Sequence, residues 1–424
     1  MKPNLISSTV CVMKNEILAN LNDPFQLERL YRTNKAAFKR AFRSLYPELG
    51  DSRLVEFWNA RLDFSREEIS WGSRKDLIFV IIASLLAGFF AKLPEIFSLN
   101  GEFFYTRNSG FIVFPALAAW FGWKHQLPFG KALVLAGGML AGLLFINFLP
   151  KRLSDTVILS CIHLPVLLWA LTGFAFAGEA RNNPEKRLGY LRFNGDLVVM
   201  TTLILLAGAI VSGVTIGLFE LIGLHILEFY LQYVVIFGLS AAPILGTYLT
   251  RTNPQLVDKV SPVIAKIFSP VVLTMLAAYL AAIIYSGKNP YSDREFLLLF
   301  NVLLAGVMAI IFFSIAESSR NNAGNLETWI LFLLSAVTII VNGIALSAIL
   351  FRISEWGFTP NRTAVLGANV LFLLNLLLVT AKLFRVITKK DSIEAVGKVI
   401  AAYLPVYIVW AFIVTVLFPV LFGF

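Results

Sequence analysis

DLIFVIIASLLAGFFAKLPEIFS, residues 76–98, decides the fold class of this chain. It is almost wholly apolar, lacks the period-two alternation of a barrel strand, and as a helix is long enough to cross about 30 Å of hydrocarbon. Backbone N–H and C=O groups cannot stay unpaired in lipid, so such a run is helical. Comparable runs recur to the C-terminus and place about eleven spans, at 76–98, 109–124, 131–149, 155–178, 196–219, 227–250, 263–286, 294–316, 327–350, 362–384 and 399–423. The whole chain of 424 residues agrees: 58% hydrophobic, 15% charged, mean hydropathy +0.75, against about 25% charged in soluble domains. The expected fold class is all-α, a polytopic α-helical membrane protein.

Upstream of residue 75 the character changes. FQLERLYRTNKAAFKRAFRSLYPEL (25–49) spaces Leu27, Leu30, Tyr31, Phe38 and Phe42 at helical intervals with basic residues between, and DSRLVEFWNARLDF (51–64) reads as a second amphipathic helix. The domains expected are therefore 1–74, a small N-terminal cytoplasmic helical segment, and 75–424, the transmembrane domain. The first is either a cap packed on itself or on the inner membrane face, or a docking module for a cytoplasmic or lipid partner. Residues 1–12 carry no pattern, and Met13 is an alternative start.

Charge sets the expected topology. No short apolar run precedes residue 76, which places the N-terminus in the cytoplasm. With that orientation Lys and Arg crowd the loops at 124–131, 181–192, 251–266 and 382–398. They are sparser on the outer side, at Arg107, Lys151, Arg152, Lys288, Arg294, Arg352 and Arg362. The C-terminus is then extracytoplasmic. The net charge of +10 lies largely beside spans, where it meets anionic lipid, so the bilayer and not nucleic acid is the expected partner. Cys11 and Cys161 fall in different compartments, and no disulfide framework is expected.

A parallel repeat of pattern 4+4+3 emerges from the spans, with units 76–183, 196–322 and 327–424. Asp76, Asp196 and Glu327 open corresponding helices, LLAG recurs at 85–88 and 205–208, GEARNN (178–183) matches AESSRNN (316–322), and VIAKIFSPV (263–271) matches VIAAYLPV (399–406). The outer loops align too: GEFFYTRN (101–108) and EWGFTPNR (355–362) both run acid, aromatic, any, aromatic, threonine, then an Arg/Asn pair. Thr359 suits an N-cap, Pro360 the first helical turn and Gly357 a positive-φ turn. Glu355 is within reach of Arg352 or Arg362. One reading is an interface turn held by a local ion pair. The other is a binding site for an anion or polar headgroup, built from Arg107, Asn108, Arg352, Glu355, Thr359, Asn361 and Arg362 near two inward-running helix N-termini.

Secondary polar candidates are Lys92, Glu95, Glu102, Glu220, His225 and Glu228. Lys92 and Glu95 flank Pro94 and can pair across one turn; Glu220, His225 and Glu228 cluster at one outer hairpin. Without HExxH or a Cys pair, no metal is expected, and no motif calls for a cofactor. Asn147, His163, Asn301, Asn342, Asn369 and Asn375 lie within or near spans, as interhelical hydrogen-bonding groups or as markers of a polar path. Gly138-x-x-x-Gly142 and Gly213-x-x-x-Gly217 read as packing faces.

RISEWGFTPNRTAVLGANVLFLL (352–374) resembles the R-x-x-E-[YW]-G-x-T-x-x-R segment of bacterial multi-pass membrane proteins of domain-of-unknown-function family 4153, related to family 4173. The resemblance carries Arg352, Glu355, Gly357, Thr359 and Arg362. It implies a bacterial inner-membrane setting and no activity. Three functions remain open: a transporter or permease for an anionic or zwitterionic small solute or lipid headgroup; a non-transporting scaffold, sensor or assembly subunit; and a membrane enzyme with Glu220, Glu228 or Glu355 as its acid. The balance leans away from the enzyme.

Overall fold

The computed structural model describes residues 13–49, 52–63, 72–152, 154–178, 183–221, 224–258, 260–286, 294–321 and 324–423. They fall into two units, Met1–Ser70 and Trp71–Phe424, so the division lies close to the expected boundary at 74/75.

Helix starts in the first unit follow its caps. The Asp23 carboxylate accepts from Phe25 N at 2.9 Å and Gln26 N at 3.1 Å, and Pro24 occupies the first helical position. The unit comprises α1 (13–19), α2 (Pro24–Thr33), α3 (Lys35–Leu45) and α4 (Arg53–Asp63). Its core joins Ile17, Leu27, Phe38, Phe42, Trp58 and Leu62. Trp58 lies 5.1 Å from the Phe38 ring and 5.6 Å from Tyr31. The segment buries its aromatic stripe in itself. Glu28 ties α2 to α4, accepting from Arg32 Nε at 2.8 Å and facing Arg61 Nη2 at 2.8 Å. The Arg32 hydrogen bond, joined by the charge of Arg61, holds the Glu28 carboxyl below the ordinary carboxylate range. A depressed pKa stabilises the fold above the unfolded-state value, and that contribution disappears as pH falls through the folded one.

In the second unit a capping box starts the first membrane helix. Ser73 Oγ accepts from Asp76 N, and Asp76 Oδ2 accepts from Ser73 N, each at 3.2 Å. Among the described residues eleven long helices follow. They are α5 (Arg74–Ile96), α6 (Gly101–Lys124), α7 (Phe129–Phe148), α8 (Asp155–Ala177), α9 (Pro184–Leu221), α10 (Leu227–Thr252), α11 (Val260–Ser286), α12 (Arg294–Asn321), α13 (Asn325–Trp356), α14 (Pro360–Ile387) and α15 (Ile393–Phe412, extended by a π turn at Ile413–Leu417 and by Phe418–Phe422). Ten are long and apolar enough to cross a membrane. The eleventh, α6, carries Glu102, Arg107 and Lys124 within its length. The chain is a polytopic all-α membrane protein.

GEFFYTRN is not a loop. Asn100 caps α6, its Oδ1 accepting from Phe103 N at 2.8 Å, so residues 101–108 form the first two turns of the helix. Hydropathy alone starts this span at 109 because the added turns are polar and aromatic. The helix ends form two faces. One, the Asp76 face, holds the starts of α5, α7, α9, α11, α13 and α15; the other, the Arg107 face, holds the starts of the remaining long helices.

Two large apolar cores occupy the unit, with two smaller clusters, around Leu159 and Ala364 and around Leu188 and Ala401, between their helices. The first joins α5–α8 to Tyr190, Phe193 and Leu197 of α9 and to Ile244 and Tyr248 of α10. The second joins α11–α15. This partition cuts across the 76–183, 196–322 and 327–424 units. Within the first unit α6 packs extensively on α8, whereas α10 and α12, their counterparts in the second, share no comparable contact. Gly138 and Gly142 do face a neighbouring helix, with a Cβ there 3.4 Å from Leu171 and Leu164 side chains. Gly213 and Gly217 face open space, so among the described residues that stripe packs on nothing. Residues 179–182, Lys288 and Cys11 lie outside the described residues.

Replacing Trp58 by Ala empties the centre of the N-terminal core and should cost that unit about 3–5 kcal/mol. Limited proteolysis should then cleave residues 13–63 while the unfolding temperature of the membrane unit is unchanged. Separately, Glu28→Gln should flatten the loss of N-terminal stability seen on acidification below about pH 4.5.

Candidate functional site

The residues singled out on the Arg107 face behave in two different ways. Arg107 is only 2% exposed. Its Nη1 donates to Ile146 O at 2.5 Å and Leu149 O at 3.3 Å, and its Nη2 to Pro150 O at 2.6 Å. The guanidinium therefore closes the C-terminal end of α7, whose last carbonyls have no partner within the helix. Phe103 lies against it, its ring centroid 4.4 Å from Cζ. This is a structural cap: both terminal nitrogens are spent on backbone, while the buried Nε has no partner among the described residues.

The EWGFTPNR turn is likewise closed, with different partners from those expected. Gly357 takes φ +73 at the end of α13, a conformation open to glycine. Thr359 caps α14, its Oγ1 accepting from Arg362 N at 3.3 Å, and Pro360 is the first helical residue. Arg362 Nη1 donates to Trp356 O and Gly357 O, both at 2.8 Å. Arg352 and Arg362 both lie over the Trp356 ring, at 5.5 and 5.7 Å. Glu355 is exposed and forms no ion pair with either arginine among the described residues, because Arg362 reaches the turn carbonyls instead. Asn361 is half-buried in the first turn of α14. No extensive contact joins α6 to α14, so the structure does not gather the two arginine elements into one site.

An open cavity lies close to Arg107. It measures about 790 Å³ and is lined by Phe90, Leu99, Asn100, Glu102, Phe103, Phe104, Asn108, Leu143, Asn147 and Lys151. Its size is that of a small-molecule pocket. Asn108 and Asn147 exchange two amide hydrogen bonds, at 3.1 and 2.7 Å, tying α6 to α7. Each also donates to a carbonyl one turn back, Phe104 O at 3.1 Å and Leu143 O at 2.9 Å. The amide hydrogens are thus committed, and the carbonyl oxygens keep lone pairs for a ligand donor. Glu102 and Lys151 are exposed, and neither has a hydrogen-bond or ion-pair partner among the described residues. One free carboxylate, one free ammonium and an amide pair therefore share one cavity with three phenylalanines.

Lys92 and Glu95 do pair across one turn, as expected, and Lys92 Nζ sits 4.3 Å from the centroid of the Tyr233 ring. Glu220, His225 and Glu228 are each exposed, and no group of acids, His or Cys able to hold a metal forms among the described residues. Deeper in the bilayer, Asn369 links Asn301 at 2.8 Å and Asn342 at 3.5 Å, and Asn375 donates to Tyr407 at 2.9 Å. These bonds join α12 to α14, α13 to α14 and α14 to α15. Sequence reasoning missed Lys151, which it counted only for topology; its place just past the end of α7, opposite Glu102, is set by tertiary contact. It also missed a second polar cluster, on the Asp76 face.

Comparison with protein-family models, with curated proteins and with solved structures finds no match to this chain.

Arg107→Ala leaves the Ile146, Leu149 and Pro150 carbonyls at the end of α7 without this partner, at about 1–3 kcal/mol for each buried one, and should lower the unfolding temperature sharply. Arg107→Lys should not restore it, because one ammonium cannot reproduce the planar fork. Arg362→Ala, at an exposed turn, should cost under about 1 kcal/mol. With the two elements apart, the double variant should show additive losses within about 0.5 kcal/mol in a thermal or chemical unfolding series.

Proposed function

We propose that this membrane protein is a permease-type carrier that takes a zwitterionic or anionic small solute, or a lipid headgroup, at the cavity between α6 and α7. The unpaired Glu102 and Lys151 over the Asn108–Asn147 amide pair carry this reading. A ligand with separated positive and negative groups can satisfy both charges at once, and the aromatic wall suits its apolar part. Arg107 contributes by holding the α7 end that presents Lys151. The inner-membrane setting, the cytoplasmic N-terminus and membership of family 4153 belong to the same proposal. They rest on the charge asymmetry and on residues 352–374. The 4+4+3 repeat likewise stands on sequence matches alone. Asp76 and Glu327 lie in the first turns of α5 and α13, whereas Asp196, expected to open its helix, lies three turns inside α9; each takes a hydroxyl or amine partner: Lys124 for Asp76, Ser261 for Asp196, and Ser318 with Lys266 for Glu327.

The scaffold reading has one observation of its own. The N-terminal unit has an independent core yet leaves Phe25 and Phe57 exposed, as a protein-docking unit would.

The carrier reading is tested in proteoliposomes with two probes: radiolabelled glycine, and a short-chain phosphatidylethanolamine whose outward amine is read with an impermeant reagent. We expect flux of at least one probe above empty vesicles, reduced at least tenfold in the Glu102→Gln/Lys151→Gln double variant with its fold retained. No flux, or flux unchanged in that variant, would contradict the carrier.

A further inference from the structure

The Asp76 face holds a second, smaller cavity that the reading above does not use. It measures about 390 Å³ and is lined by Asp76, Trp120, Phe121, Lys124, His125, Arg251 and Thr252. Three helix ends meet there: the first turn of α5 and the last turns of α6 and α10. Gly72, at φ +61, allows the approach, since a Cβ on it would stand 3.2 Å from Asp76 Oδ2 and from Thr252 Cγ2.

The acid in this cavity is already committed. Asp76 Oδ2 accepts from Ser73 N, and its Oδ1 accepts from Lys124 Nζ at 2.7 Å. That pair, with Trp120 and Trp123 at 5.1 and 5.0 Å from Lys124 Nζ, pins the ammonium to the wall.

Arg251 is different. Its guanidinium lies 5.3 Å from the centroid of the Phe176 ring, and it makes no hydrogen bond or ion pair among the described residues. Asp196 is near enough to be felt, but its Oδ1 takes the Ser261 hydroxyl at 2.5 Å and forms no ion pair with Arg251. A basic residue in the last turn of a helix is favoured by the dipole in any case. The dipole does not explain a five-donor planar fork held against an aromatic ring with every donor unspent. Beside it, His125 Nδ1 meets Ala175 O at 3.2 Å, and neither its Nε2 nor the Thr252 hydroxyl has a partner among the described residues.

We infer that this cavity is a binding site for a phosphate-type oxyanion, either the headgroup phosphate of a lipid or a free phosphate. Arg251 supplies the bidentate fork, Thr252 a neutral donor and Lys124 the local positive field. Asp76 positions Lys124 and does not itself meet the anion.

The test uses the full chain purified in an uncharged detergent, with thermal unfolding followed as two probes are titrated separately: inorganic phosphate and phosphatidylglycerol. We expect saturable stabilisation by at least one probe. The apparent affinity should fall at least tenfold in Arg251→Ala, with Arg251→Lys in between, and should be unchanged in Lys390→Ala, an exposed loop residue on the same face. A response to phosphatidylglycerol alone assigns a lipid headgroup; a response to inorganic phosphate assigns a site that accepts the free anion. No saturable response in the wild type, a wild-type response in either Arg251 variant, or an equal loss in Lys390→Ala would overturn the site.

Discussion

A carbonyl buried in hydrocarbon has no water to fall back on, and the end of a helix leaves several such groups without partners. Arg107 meets that demand at the end of α7 by threading its guanidinium onto Ile146 O, Leu149 O and Pro150 O. The same constraint runs through the unit. Where the π turn of α15 disturbs the helical ladder, Ser160 of α8 donates to Thr415 O at 2.8 Å. Where α12, α13 and α14 cross, Asn301, Asn342 and Asn369 bond to one another. Polar side chains in the membrane interior serve the backbone and the helix crossings. Charged groups left unspent are therefore informative, and among the described residues Glu102 and Lys151 lie open on one face and Arg251 on the other.

Much of the fold was legible because hydropathy reports burial in lipid directly: each expected span lies on one of the eleven helices. Span ends were harder to see. Hydropathy starts the second span at residue 109, whereas the Asn100 cap adds two turns. Those turns move Arg107 from a loop onto a helix face beside α7. The capping signals at Thr359 and Pro360 are local and were readable. The destination of a long side chain is not local. Nothing in EWGFTPNR distinguishes Arg362 bonding Glu355 from Arg362 bonding two turn carbonyls. Nothing in GEFFYTRN names Pro150 as a partner.

The two arginine elements that look alike in sequence therefore do similar structural work at separate places. Each arginine neutralises carbonyls at a helix terminus, one inside the bilayer unit and one at an exposed turn. What their resemblance in sequence pointed towards was the neighbourhood of the first copy, where Glu102 and Asn108 line an open cavity. Lys151 completes it from across the α7 end that Arg107 holds in place. The cavity at the Asp76 face follows the same logic, since the Asp76–Lys124 pair fixes the wall beside Arg251. In both places a closed structural bond supports an open charge.

The central claim is that open charges face water on opposite sides of a dry interior. Single cysteines at positions 102, 151, 251 and 146, in a chain with Cys11 and Cys161 replaced by serine, test it with a membrane-impermeant maleimide applied to each side of sealed vesicles. The account predicts labelling of positions 102 and 151 from one side only, of 251 from the other only, and none at 146, which replaces the fully buried Ile146. Labelling of 251 from the same side as 102, or of 146 as fast as 102, would contradict it.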